Sequence, residues 1–382
     1  PHEVVFTFAA VPGPFLPKLS TPHTMFKIYP AAISRAAADR PLEYEEMIGT
    51  GPYRFGEWRR GESLTLERFD GYAADTRFDG PDGLGGRQTA YLDQIVWNFV
   101  AEPGAQDAGL QSGRFHFADA VPVETRAMLE ARAGFAGTII QPLNWMNLMV
   151  NHHNPPLDDI RIRRAIQIGL NQELVLLAAI GDPELIRMQP SLAFTEQVWF
   201  NEAGAQYYNV NDKEQARALV AEAGYDGSEI VLMTTRTLEN LYKGAVVVQQ
   251  ELQQIGLNVR LEVLDWAALI GHITNHDLRA TWHLSSMEHS VRHDPYGWDV
   301  NFRCDKWTPY CNPAMDANLD EIARLRGQEE RFGAFQKVQE LFHEDVVNIK
   351  NGDYFGWHAH SDRLKGYKGY EGYVFWDTWL EG

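Results

Sequence analysis

The stretch from Asn211 to Asp265 constrains the fold more than any other. In DKEQARALVAEA the apolar residues Ala216, Leu219, Val220 and Ala223 share one helical face, and Gly224 is placed to end the helix. The apolar EIVLMT comes next, then a helical run through YKGAVVVQQELQQI that stops at Gly256, then VRLEVLD. A strand, a helix and a second strand of this size imply a right-handed crossover between parallel strands, so this part of the chain is α/β.

Around that unit the patterns are mixed. VVFTFAAVPGPFLPKL reads as a strand before a Pro-rich turn, and GTGPYRFGEWRRGESLTLERF as a hairpin turning at Gly61. DTRFDGPDGLGGRQ has the Gly and Asp content of an exposed loop, and YLDQIVWNFV reads as a strand. Val123–Arg132 has a helical pattern, NWMNLMVN is an apolar strand, and RIRRAIQIGLNQELVLLAAIG predicts one long helix ending at Gly181. Two further helices, PAMDANLDEIARLR and FGAFQKVQELFHEDVV, precede an aromatic tail of strand and loop.

At 382 residues the chain is too long for one hydrophobic core, and two lobes are the starting expectation. No apolar run is long enough to cross a bilayer. With 34 Lys+Arg against 52 Asp+Glu, the formal net charge of -18 repels phosphate backbones, which argues against a nucleic-acid partner.

Signatures of catalysis are absent: there is no GxSxG elbow, Walker loop or HExxH helix, and GPDGLGGR lacks the spacing of a dinucleotide fingerprint. No cofactor is expected. His272 with His276, and His289 with His293, have the i, i+4 spacing of a helical metal pair, but no carboxylate completes a known ligand pattern. The adjacent Asp158 and Asp159 are placed to cap a helix rather than to act as an acid/base pair in a secreted hydrolase. Cys304 and Cys311, in RCDKWTPYCNP, could close a local disulfide; two reduced thiols or half of a metal site are the competing readings.

The strongest functional signal is TWHLSSMEHSVRHDPYGWDVNFRCDKW, aromatic and polar at once and without clear periodicity, which predicts a long irregular loop. Trp282 and Trp298 could cover the flat faces of a polar organic ligand, with Glu288, His289, Arg292 and Asp294 fixing its ends. Structural packing of the same rings is the competing reading.

Several segments together resemble the extracellular solute-binding proteins of family 5, which serve dipeptide and oligopeptide ABC importers. GTGPYRFGEWRRGESLTLERFDGY is similar to the family's most recognisable stretch, and YLDQIVWNFV with GLQSGRFHFAD resembles the family's next segment. PPLDDIRIRRAIQIGLNQELV resembles the entry into the second lobe, and NDKEQARALVAEAGYDG with QQELQQIGLNVRLEVLDW the βαβ region.

The resemblance implies a two-lobed α/β periplasmic-binding-protein architecture with an extra small domain. It implies a small ligand enclosed between hinged lobes, no catalysis, a periplasmic location, which suits a disulfide, and delivery to ABC permease membrane subunits by a monomer. The expected division is 1–48 as a remnant of the extra domain, 49–146 with 358–382 as the first lobe, incomplete because the sequence starts inside the extra domain, and 147–357 as the second.

Trp145 and Asn147, at the first crossing segment, join the ligand set. Peptide binders in the family hold the ligand's amine with an acidic residue just before an acidic-Pro dipeptide. That place here holds Val291, leaving Glu288 or Asp294 as the partner of an amine-bearing ligand, with a sugar as the alternative guest; capping a turn ahead of Pro295 is the competing reading of Asp294.

Overall fold

The computed structural model describes residues 3–20 and 27–382, which fall into two compact units. The larger comprises Pro1–Met25 and Pro142–Tyr354, the smaller Phe26–Gln141 and Phe355–Gly382. Apart from the change of unit at 25/26, which lies outside the described residues, the chain passes between them within two long strands, Phe135–Val150 and Asn348–Ser361. These two crossings fall at 141/142 and 354/355, against the expected 146/147 and 357/358, and the expected 1–48 segment is divided, 1–25 grouping with the larger unit and 26–48 with the smaller.

In the larger unit the strand order is Val259–Leu264, Ile230–Thr235, Leu284–Ser290, Phe135–Val150, Asn348–Ser361. The first two pair in parallel around the helix Glu239–Gln254, as the crossover argument requires. Aliphatic residues from Leu148, Ile166, Val175, Leu232, Val248 and Leu284 form the main core. A second, aromatic core gathers Trp145, Phe194, Trp298, Phe302, Phe335 and Phe342.

Three sequence expectations change. The long helix is two helices, Ile160–Gly169 and Gln172–Ile180, because the Asn171 side chain accepts from the Leu174 amide and caps a new start. The segment expected as an irregular loop contains the central strand Leu284–Ser290, which has strand neighbours on both edges and protein on both faces. A strand buried on both sides has no reason to alternate, so periodicity could not reveal it. The opening VVFTFAAVPG likewise forms no strand over its described residues; Phe6 and Phe8 pack on Phe15 instead.

The smaller unit holds the expected hairpin, Tyr53–Arg59 with Ser63–Arg68, and Gln94–Asn98 adds to its second strand. Phe117–Ala118 pairs with Ala359 and His360.

Candidate ligand-binding site

The first crossing strand and the central strand run antiparallel, with Glu288 opposite Met146, His289 opposite Trp145 and Met287 opposite Asn147. Residues directly opposite one another share a face, and faces alternate along a strand. Trp145, Asn147, Ser285 and His289 therefore lie on one face, and Asn144, Met146 and Glu288 on the other.

On the first face everything is buried. The His289 ring lies 4.8 Å from that of Trp145 and 5.5 Å from that of Trp298. Burial, and then the charge of Arg292, depress its pKa to about 3, so it is neutral at physiological pH. Trp145 Nε1, both amide atoms of Asn147, Ser285 Oγ and His289 Nε2 have no hydrogen-bond partner in the protein. Each unmade bond of this kind costs about 1–3 kcal/mol, so the row favours a polar guest such as water or a ligand group.

The second face carries a half-buried carboxylate. Glu288 accepts from Tyr354 Oη and, at 3.1 Å, from Asn240 Nδ2 in the first turn of Glu239–Gln254. Asn144 Nδ2 in turn donates to Tyr354 Oη at 2.9 Å. Burial, and then the Glu288 charge, raise the Tyr354 pKa well above its ordinary value, so the phenol keeps its proton. All donors to Glu288 here are neutral, and among the described residues it forms no ion pair.

Asp294 is different. Its two carboxylate oxygens take Arg331 Nη1 at 2.7 Å and Nη2 at 2.6 Å, with both side chains less than a tenth exposed. It also caps the following turn by accepting from the Tyr296 amide. The turn cap, the competing reading of Asp294, is what forms, and its carboxylate is held by Arg331.

The tryptophans are packed, as in their competing reading. Trp282 is fully buried among Met149, Met233, Leu269 and Ile273, and donates its indole N–H to the His272 carbonyl. Trp298 is 1% exposed, stacked on Phe302 at 10° with Arg292 over its ring. Their ring faces are covered by protein, with Arg292 half-buried over Trp298.

Cys304 and Cys311 are bonded. His272 belongs to the helix Trp266–Thr274 but His276 lies beyond it, and His289 is in a strand, so neither histidine pair shares a helical face. Asp159 caps the helix Ile160–Gly169 and pairs with Arg161.

Each unit also has a cavity. In the larger one, about 650 Å³ lies between the helix Phe15–Ser20 and Trp199, His293 and Asp294. In the smaller one, about 920 Å³ runs along the strand Gln94–Asn98 and is walled by Trp97, Phe117, Tyr373 and Phe375, with Asp119 accepting from Tyr373.

Residues 1–299 match the profile of the bacterial extracellular solute-binding proteins, family 5 middle. The chain belongs to this family. A probable peptide ABC transporter periplasmic-binding protein, y4tO of Sinorhizobium fredii, is 29% identical over 349 residues, covering 84% of this chain and 62% of that protein. The glutathione-binding protein GsiB of Salmonella paratyphi A is 23% identical, covering 77% of this chain and 56% of its own length. The chain thus spans about three fifths of these curated relatives.

Among solved structures, the substrate-binding protein CtaP of Listeria monocytogenes superposes with a TM-score of 0.82 at 22% identity, over 95% of this chain and 71% of that one. DppA of Helicobacter pylori in complex with the peptide STSA gives 0.75 at 21%, over 99% and 72%. The fold class expected from the sequence, that of the two-lobed periplasmic binding proteins, is therefore the fold of this family member.

Tyr354, Asn240 and Asn144 are not singled out by the sequence. Each is an ordinary polar residue in an ordinary element, and their meeting at Glu288 depends on strand register between segments far apart in the chain.

Proposed function

We propose that this chain is the ligand-capturing part of a periplasmic solute-binding protein that delivers a short peptide, or a similar amine-bearing solute, to the permease of an ABC importer. It binds its guest unchanged and acts as a monomer. The observation that carries the reading is Glu288: a half-buried carboxylate held by two neutral donors, with no ion-pair partner among the described residues, is placed to take a ligand's ammonium group. The relatives' names, a peptide transporter component and a glutathione-binding protein, agree with this class of ligand. A sugar guest loses support because the Trp282 and Trp298 faces are already covered.

Calorimetric titration with dipeptides, tripeptides and glutathione, each with a free and an acetylated amine, tests the reading. A charge-assisted bond contributes about 1.5–3 kcal/mol, so Glu288→Gln should weaken the free-amine ligands by roughly 10–150-fold and leave acetylated ones unaffected. Equal affinity for both forms in the unaltered protein would remove Glu288 from the site.

A further inference from the structure

The Glu288 carboxylate is held by a side chain that stands at a junction. Tyr354 is the last residue of the larger unit before the second crossing strand continues into the smaller one, and Asn144 is the third residue after the first crossing. The strands bearing Glu288, Asn144 and Tyr354 are consecutive neighbours in the sheet. The tyrosine reaches over the middle strand, a span of about 10 Å from its own strand to that of Glu288, and bonds to both others on the way.

A phenol has one hydrogen and can accept as well. Here the hydrogen goes to Glu288 and the oxygen accepts from Asn144, so the hydroxyl's orientation is fixed from both sides. Asn240 holds the carboxylate from the helix side. An ammonium group that arrives at Glu288 pulls on an oxygen already tied to both crossing strands.

We infer that Tyr354 is a positioning residue that couples occupancy of Glu288 to the two strands joining the units, so that the ligand's amine is sensed at the crossings themselves. This rests on the reading of Glu288 given above. Tyr354 does not touch the ligand; it fixes the carboxylate that does and ties that carboxylate to Asn144. An amine therefore tightens Phe135–Val150 and Asn348–Ser361 together, whereas an amine-free ligand of the same shape leaves them as they were.

Tyr354→Phe keeps the ring and removes only the hydroxyl. Hydrogen exchange of the intact chain, free and saturated with alanyl-leucine, with glutathione in a parallel arm, reads the coupling. In the unaltered protein the ligand should slow exchange at least fivefold around Glu288 and also in residues 138–146 and 350–358. In Tyr354→Phe the slowing around Glu288 should persist, that in both crossing strands should fall below twofold, and binding should weaken about 3–10-fold because the carboxylate is no longer pre-ordered.

Full slowing of the crossing strands in Tyr354→Phe, with Glu288→Gln still weakening the free-amine ligand, overturns the coupling and leaves the binding reading intact. Unchanged binding in Glu288→Gln, or failure of both probes to bind, overturns the binding reading and the coupling with it.

Discussion

Replacing Asp294 by Asn separates a structural carboxylate from a ligand-binding one. Its two bonds to Arg331, at 2.6 and 2.7 Å, lie where both side chains are less than a tenth exposed. Arg331 also donates to the Ile322 carbonyl at 3.1 Å and lies over the Trp199 ring, so it cannot turn out to water without dismantling the aromatic core. Neutralising the carboxylate leaves a buried guanidinium without its counter-charge, which costs about 3–5 kcal/mol.

For a unit of this size each kcal/mol moves the melting temperature by about 2–4 °C, so Asp294→Asn should melt roughly 6–20 °C lower. Adding Arg331→Met, which removes the stranded cation and keeps most of its volume, should recover more than half of the loss. Differential scanning calorimetry of the two variants gives both numbers, and the peptide titration run alongside should show unchanged affinity at temperatures where each remains folded. An Asp294→Asn protein that melts within 1 °C of the unaltered one but no longer binds free-amine peptides would refute the argument and return Asp294 to the ligand.

Two other outcomes come from buried groups and the disulfide. His289 and His152 both have pKa values lowered to about 3, His289 by burial and then Arg292, His152 by burial and then Arg163. Their folded values lie below the unfolded one near 6.5, so the stability they contribute is complete above pH 6.5 and is lost as pH falls toward 3, at about 1.4 kcal/mol per pH unit each. Between pH 7 and 5 the two together should cost roughly 4 kcal/mol, and His289→Asn should flatten its share of the slope; a melting temperature constant over that range would contradict the burial of both rings. Cys304 and Cys311 are 7 residues apart, and opening so short a loop by Cys304→Ser with Cys311→Ser should lower stability by about 2–3 kcal/mol in urea unfolding, with no further effect of reductant on the double variant.

How much of this was legible depended on whether the controlling physics was local. The crossover around Glu239–Gln254 and the hairpin Tyr53–Arg68 are dictated by periodicity and turn residues alone, and both are observed. The break at Asn171 was also local, since an Asn before Gln-Glu is a helix start, but the continuous apolar stripe on both sides hid it. The central strand could not be read, because a strand covered on both faces carries no alternation.

The site shows the same division. Glu288 and Asp294 are equally acidic and six positions apart, and nothing near them in the sequence says which is neutralised. That is decided by Arg331, 37 residues beyond Asp294, and by Tyr354, 66 beyond Glu288. The polar neighbours of Trp282 and Trp298 suggest exposed ligand platforms, whereas the core has absorbed both rings.

The strand Gln94–Asn98 is hydrogen-bonded along only one side among the described residues, and its other flank borders an aromatic hollow with Val96 and Phe99 about half exposed. An open main-chain flank beside sticky side chains invites a neighbouring chain to zip on, and natural sheets commonly blunt such flanks with a lysine. Concentrated solutions of these 382 residues will therefore tend to cluster through the smaller unit, and a lysine in place of Val96 is the change that would keep them dispersed while leaving the Glu288 region untouched.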